Sequence, residues 1–169
     1  YLHSGNTPLL HTNLNSGNIL INSSFGAKLS DFGFSQKRQH HGFAGTPYWM
    51  APELFRMHPP SKETDVYAMG IVLFEVFTRK EPYKGLEPRA VLKQVTNVHT
   101  DPPFRPTLPD NLPESVRELI SQCWASEPSD RPSFKEIRRR VLKWNPKQID
   151  SYLVSHQRRD ILRRTTHIR

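Results

Sequence analysis

Cysteine is nearly absent from this 169-residue chain: it has one, Cys123, so no disulfide can form within it. A single thiol suits a reducing compartment, and a cytoplasmic protein, or the cytoplasmic portion of a larger one, is expected. Long apolar runs are missing too. Hydrophobic residues make up 36%, which is low enough to leave part of the chain outside any core. The longest apolar stretch, Val66 to Phe77, is interrupted by Glu75. It falls short of the ~20 residues a membrane helix needs and reads as a buried helix. The start, Tyr1-Leu2-His3-Ser4, has no Met, no basic region and no apolar core. It reads as the interior of a longer protein, not as a signal peptide. Acidic residues are scarce only near the end. Residues 1–134 hold 13 Lys and Arg against 13 Asp and Glu, whereas residues 135–169 hold 11 against 3. The net charge of +8 therefore belongs to the tail, and the globular part is balanced.

What is present suggests a mostly α unit. Residues 18–22 and 27–30 are short apolar runs around a Ser-Ser-Phe-Gly turn, the pattern of a small hairpin. Residues 31–50 have no sustained period, hold three Gly, and read as a long loop. Glu63 to Thr78 places Val66, Met69, Val72, Leu73, Val76 and Phe77 at helical spacing, with Thr64 as the expected N-cap. Arg89 to Val98 predicts a shorter amphipathic helix. Residues 102–113 carry five of the fifteen prolines and exclude helix or central strand. Pro113 to about Trp124 predicts a helix with Val116, Leu119, Ile120 and Cys123 on one face. Phe134 to Trp144 predicts another, Asn145-Pro146 breaks it, and Gln148 to Arg164 suggests one more.

Three blocks carry the chemistry. They are His11-Thr12-Asn13-Leu14-Asn15-Ser16-Gly17-Asn18, then Asp31-Phe32-Gly33, then Gly45-Thr46-Pro47-Tyr48-Trp49-Met50-Ala51-Pro52-Glu53. Together they resemble the protein-kinase catalytic loop, the D-F-G metal motif and the A-P-E end of the activation segment. The likeness continues through Asp65-Val66-Tyr67-Ala68-Met69-Gly70, Cys123-Trp124 and Asp130-Arg131-Pro132-Ser133-Phe134. It is closest to the tyrosine-kinase-like, Ser/Thr-type group. The expected fold is mostly α (α+β): the C-terminal lobe alone of a protein kinase-like fold, with a small β-hairpin near the catalytic loop. Residues 1–142 would form that lobe and 143–169 a basic, partly helical extension.

The resemblance implies ATP and Mg²⁺, with Asn18 and Asp31 as metal ligands and Leu20 as floor of the adenine pocket. It implies that Asp65 braces the catalytic loop, that Arg131 pairs with Glu53, and that His11 packs on Phe32. Three adjacent positions depart from the pattern. Asn13 stands where the family places the catalytic Asp, and a carboxamide has no useful basicity at neutral pH. Asn15 stands where a Lys would neutralise the transferring phosphate. Thr12 stands where an Arg would receive a phosphorylated loop, and Gln36 to Gly45 contains no Ser, Thr or Tyr to phosphorylate. Ser35 lies too near the metal motif for that role, and Thr46 and Tyr48 lie in the substrate-binding segment. The sequence also carries no Gly-rich phosphate loop and no lysine of Val-Ala-Ile-Lys type. The 169-residue polypeptide is accordingly expected to be inactive by itself, with an apolar face open where an N-terminal lobe would pack.

The expected function is a pseudokinase-type signalling regulator acting on a protein substrate or signalling partner. The alternatives are a weakly active Ser/Thr kinase and a basic-tail adaptor for a membrane or nucleic acid. His40-His41 are adjacent, so their side chains diverge, and they read as loop residues, not metal ligands. Arg138-Arg139-Arg140, Arg158-Arg159 and Arg163-Arg164 punctuate Ile149, Tyr152, Leu153, Ile161 and Leu162. This tail reads as a solvated linker helix or as a basic amphipathic helix for an acidic partner or membrane surface; nucleic acid is not expected.

Overall fold

The computed structural model describes residues 2–5, 7–32, 47–97 and 99–155. The expectations for Gly33, Ser35, His40, His41, Thr46 and the arginines beyond residue 155 lie outside the described residues. Strands β1 (Ile19–Ile21) and β2 (Ala27–Leu29) form an antiparallel pair, with Ile19 opposite Leu29 and Ile21 opposite Ala27. Asn22 makes the turn by accepting from the backbone N–H groups of Ser24 (3.1 Å) and Gly26 (2.6 Å). Helices follow at α1 (Lys62–Thr78), α2 (Pro88–Val95), α3 (Glu114–Cys123), α4 (Phe134–Val141) and α5 (residues 146–155). Single 3₁₀ turns cover Ser16–Asn18, Pro47–Trp49, Pro52–Arg56 and Pro128–Asp130. A mostly helical lobe with one hairpin is the architecture the sequence implied.

Helix α1 is the axis of the molecule. It begins earlier than the apolar period suggested, and Ser61, not Thr64, is its N-cap. Pro59 and Pro60 keep the chain extended up to Ser61, so the helix can start directly after them. The Ser61 hydroxyl accepts from Glu63 N–H at 3.2 Å, while the Thr64 hydroxyl accepts from Ser61 N–H at 3.2 Å. That is a reciprocal cap with Thr in the third position. Val76 is 55% exposed and does not belong to the buried face assigned to it. The burial instead runs almost all round the helix, taking in Tyr67, Ala68, Ile71, Phe74 and Thr78 as well. A one-sided stripe understates a helix packed on nearly every side.

The main core gathers Tyr67, Ile71, Phe74 and Phe77 from α1 with Val91, Val95, Leu112, Val116, Ile120 and Trp124. Val66, Leu119, Cys123 and Ile137 form a second cluster on the other side of α1. Burial pushes the Cys123 thiol up to about 12, so it stays protonated and inert as a core residue. Helices α1 and α3 meet at Gly70, where a Cβ would fall 2.9 Å from Cys123 Cβ and 3.3 Å from the Trp124 backbone nitrogen. Only hydrogen fits that gap. The proline-rich stretch 102–113 lies against this core through Phe104, Leu108 and Leu112.

Asn145-Pro146 does break the preceding helix, and it also starts the next. Asn145 Oδ1 accepts from Lys147 N–H at 3.0 Å, an N-cap arrangement for α5. Helix α5 is not a solvated linker. Ile149 and Leu153 pack on the main core, and buried Tyr152 donates its hydroxyl to Phe77 O at 3.3 Å. Ile149, Tyr152 and Leu153, which the sequence left open between a solvated linker and an amphipathic face for an acidic partner or membrane, are spent on the lobe itself.

Gly70→Ala is expected to cost about 1–3 kcal/mol, because the methyl overpacks the α1–α3 contact. Val76→Ala, on the exposed side of the same helix, should stay within about 0.5 kcal/mol. Urea unfolding of the two variants beside the wild type checks both values.

Candidate active-site cleft

The loop from His11 to Asn18 has little regular structure of its own, and α1 holds it in shape. Asp65, in the first turn of α1, accepts from His11 N–H and Thr12 N–H, each at 2.8 Å, and also contacts His3 Nε2 at 2.8 Å. The carboxylate is buried. Its position near the helix N-terminus favours its negative charge. It fixes Thr12 in the left-handed region at φ 63°, strain that persists because the surrounding contacts determine it. The Thr12 hydroxyl turns back on His11 O at 2.7 Å. His11 is buried with its ring centroid 4.9 Å from that of Phe32. The expected roles of Asp65 and His11 are both met.

Two further amides shape the loop from within. Asn13 O accepts from Asn15 Nδ2 at 3.0 Å and from Asn18 Nδ2 at 2.8 Å. The Asn15 side chain is therefore folded back on the loop, where a lysine would reach outward. Asn18 is buried and spends its amide nitrogen on the loop, which leaves its Oδ1 as the remaining side-chain acceptor. The hairpin then carries the chain away and returns it: Ser30 N–H donates to Asn18 O at 2.9 Å. Asp31 follows immediately, exposed and left-handed at φ 57°. Its carboxylate stands on the residue next to the one paired with Asn18. One amide oxygen and one carboxylate are the hard donors Mg²⁺ prefers, with phosphate oxygens and waters completing its shell. The pair fits the metal as a shared, substrate-dependent site, not as a full protein cage. No cluster of three or more metal-ligating side chains occurs among the described residues.

Leu20 is 55% exposed on β1. Leu9, Ile21, Leu29, Phe32 and, at the hairpin tip, Phe25 are exposed as well. Strand alternation puts Leu20 on one face of the hairpin and Ile21 and Leu29 on the other. Asn13, by contrast, is half-buried and faces a small cavity lined by Trp49, Met50, Thr64 and Asp65. The one carboxylate lining that cavity, Asp65, is committed to the loop backbone.

Sequence reasoning missed Glu75, noting it only as a charge interrupting an apolar run. That interruption was the signal. Half-buried on α1, Glu75 accepts from Ser16 Oγ at 2.9 Å through Oε1 and from Trp49 Nε1 at 2.8 Å through Oε2. Burial raises its pKa above the ordinary carboxylate value despite both hydrogen bonds, and neighbouring Glu81 adds to the rise. The Glu53–Arg131 pair, which was foreseen, is bidentate at 2.6 and 2.8 Å. Arg131 also donates to Ala125 O, Glu63 O and Ser126 O, so its buried charge is satisfied on every side.

A loop braced by a helix-borne carboxylate thus lies beside a hairpin that returns the chain to Asn18 one residue before Asp31. The family model for protein tyrosine and serine/threonine kinases matches residues 1–141, and the chain belongs to that family. It is 37% identical to the dual specificity protein kinase shkC of Dictyostelium discoideum, over 81% of this chain and 28% of that protein. It is also 37% identical to the serine/threonine-protein kinase CTR1 of Arabidopsis thaliana, over 81% of this chain and 17% of that protein. The putative serine/threonine-protein kinase/receptor R818 of Acanthamoeba polyphaga mimivirus matches at 33%, over 81% of this chain and 8% of that protein. The chain thus spans little more than a quarter of the longest-covered of these relatives.

Replacing Asp65 with Asn leaves one acceptor oxygen where the carboxylate had two. Asp65→Asn is expected to cost about 1–3 kcal/mol, since a buried loop N–H loses its partner. Amide exchange at His11 and Thr12, read beside urea unfolding, checks it.

Proposed function

We propose that this chain is the C-terminal lobe of a regulatory kinase domain of pseudokinase type, which holds Mg-ATP but scarcely transfers phosphate. The observation that carries the reading is Asn13. A serine or threonine hydroxyl attacking phosphorus must lose its proton, and the amide at this position can accept a hydrogen bond but cannot take the proton. A missing general base typically costs ~10²–10⁴ in rate. Asn15, folded onto Asn13 O, removes a cation from where phosphate charge is greatest. Thr12 removes the receptor for loop phosphorylation.

The retained parts support nucleotide binding. Asn18 Oδ1 and the Asp31 carboxylate would hold Mg²⁺, and Leu20 would lie under the adenine. The bound metal supplies charge neutralisation on the β- and γ-phosphates. Asn13 then orients a hydroxyl without deprotonating it. The same retained residues favour a second reading, a weakly active Ser/Thr kinase in which orientation and metal suffice for slow turnover. For the basic stretch that begins at residue 135, the charged face of α4 supports an acidic protein or membrane partner. Glu136 holds Arg139 and Arg140, with Arg139 first in lowering its carboxyl to about 2. Among the described residues, Lys135, Arg138 and, just past α4, Lys143 have no such carboxylate partner and remain available for a charge-driven contact.

The test uses the whole protein that carries this domain, on a generic Ser/Thr substrate. Asn13→Asp is expected to raise turnover at least ~10²-fold if the base is what is missing. Mg-ATP should raise the melting temperature of the wild type, since a ligand that binds only the folded state stabilises it. Wild-type turnover within tenfold of the Asp variant sinks the regulator reading and leaves the weak kinase. For α4, reversing Lys135, Arg138 and Lys143 to Glu should abolish low-salt binding to vesicles of 30% phosphatidylserine or to an oligo-glutamate peptide, measured by co-sedimentation and anisotropy.

A further inference from the structure

Helix α4 carries two stripes at helical spacing. Phe134 and Ile137 face inward and, with Trp144, join the cluster of Val66, Leu119 and Cys123. Lys135, Arg138, Arg139 and Leu142 fall at i, i+3, i+4 and i+7, so they share one outward face. The turn runs on past Val141: Leu142 N–H donates to Arg138 O at 3.1 Å and Lys143 N–H to Arg140 O at 3.0 Å. That keeps Leu142 and Lys143 beside the cations. All five residues are exposed, Leu142 at 69%.

Together with Ser133 and Glu136, the five line an open hollow of about 500 Å³. Glu136 is the one carboxylate among those seven, and the helix itself occupies it. Arg139 donates to it twice at 2.7 Å and Arg140 once at 2.8 Å. Lys135, Arg138 and Lys143 keep their charge without a carboxylate partner among the described residues. The ligand is selected by shape as much as by charge. Every lining residue comes from the single stretch 133–143, so no second element supplies an opposing wall. A convex helix face has little grip on an acidic polypeptide, whose recognition uses a groove or a sheet edge. A plane of negative charge needs neither. Lysine and arginine lay their stems along such a plane with their heads at the phosphates. An apolar side chain projecting among them reaches the acyl boundary, and Leu142 projects in that way.

We propose that the outward face of α4 is a docking surface for an anionic lipid bilayer. Lys135, Arg138 and Lys143 lie against the headgroups, and Leu142 inserts between them. The inference deepens the charge reading of α4 given above and rests on it, but it requires neither nucleotide nor turnover.

The experiment measures co-sedimentation of the 169-residue chain with phosphatidylcholine vesicles, with and without about 30% phosphatidylserine. Binding is expected with the anionic vesicles only. Each Lys or Arg near such a surface contributes about 5-fold to partitioning. Lys135→Gln, Arg138→Gln and Lys143→Gln are therefore each expected to weaken binding by that factor and to reduce its salt dependence. Leu142→Ala is expected to weaken it by about 5-fold through lost apolar area, with the salt dependence unchanged. A polarity-sensitive fluorophore on Leu142→Cys reports insertion directly, because the native Cys123 is buried and protonated. Its emission should shift to the blue on anionic vesicles. All four positions are exposed, so the variants should melt with the wild type. Binding that survives the three charge substitutions combined, or a label that stays in water while the chain sediments, overturns the proposal. Binding to an oligo-glutamate peptide without binding to vesicles also overturns it and leaves the acidic-protein side of the charge reading standing. Failure of both ligands removes that reading as well.

Discussion

Everything in the cleft depends on a carboxylate that does no chemistry. Asp65 is buried, and its oxygens accept from two consecutive backbone N–H groups of a loop that cannot satisfy them itself. Burying a charge is costly unless it is paired and hydrogen-bonded. Here the backbone N–H groups and His3 compensate it, and the helix N-terminus adds its own favourable field. Because the carboxylate is rigid on α1, the loop inherits that rigidity. Thr12 is held left-handed, His11 is placed against Phe32, and Asn13 and Asn18 take fixed positions beside the hairpin.

Helix α1 supplies the same service at its other end. Glu75 ties Ser16 to Trp49, so one helix bears both polar braces of the cleft. Its packing explains how it carries them. Burial on nearly every side, with Gly70 against Cys123 and Trp124, leaves the helix no freedom to shift. The Glu53–Arg131 pair then fastens the end of the activation segment to the C-terminal third of the chain. Replacing such a pair by apolar groups often costs nothing, but losing one partner strands the other charge. Its value here is in specifying the arrangement.

The catalytic centre shows that scaffold and chemistry are separable. The braces Asp65, Glu75 and Arg131 are all satisfied by their partners. Positions 13, 15 and 18 of the loop are amides, and their hydrogen bonds turn inward: Asn15 and Asn18 both donate to Asn13 O. A loop made of amides can be as well ordered as one made of charges while offering no proton acceptor.

Much of this was legible in the chain because short motifs at fixed spacing encode local backbone geometry. The three blocks, the hairpin and the order of helices follow from residue type and period alone. So does the identity of Asn13, since an amide is an amide in any fold. The sequence did not determine where α1 begins, because Pro59 and Pro60 moved the cap to Ser61. Nor did it determine the fate of α5, whose apolar positions looked the same whether destined for a membrane, a partner or the lobe. Only tertiary packing chose the lobe, by offering Phe77 O to the Tyr152 hydroxyl and a core for Ile149 and Leu153. Glu75 marks the same boundary. Its charge in an apolar run was visible in one dimension, but its purpose needed Ser16 and Trp49 brought to opposite oxygens of one carboxylate, and long-range proximity is what a linear pattern cannot contain.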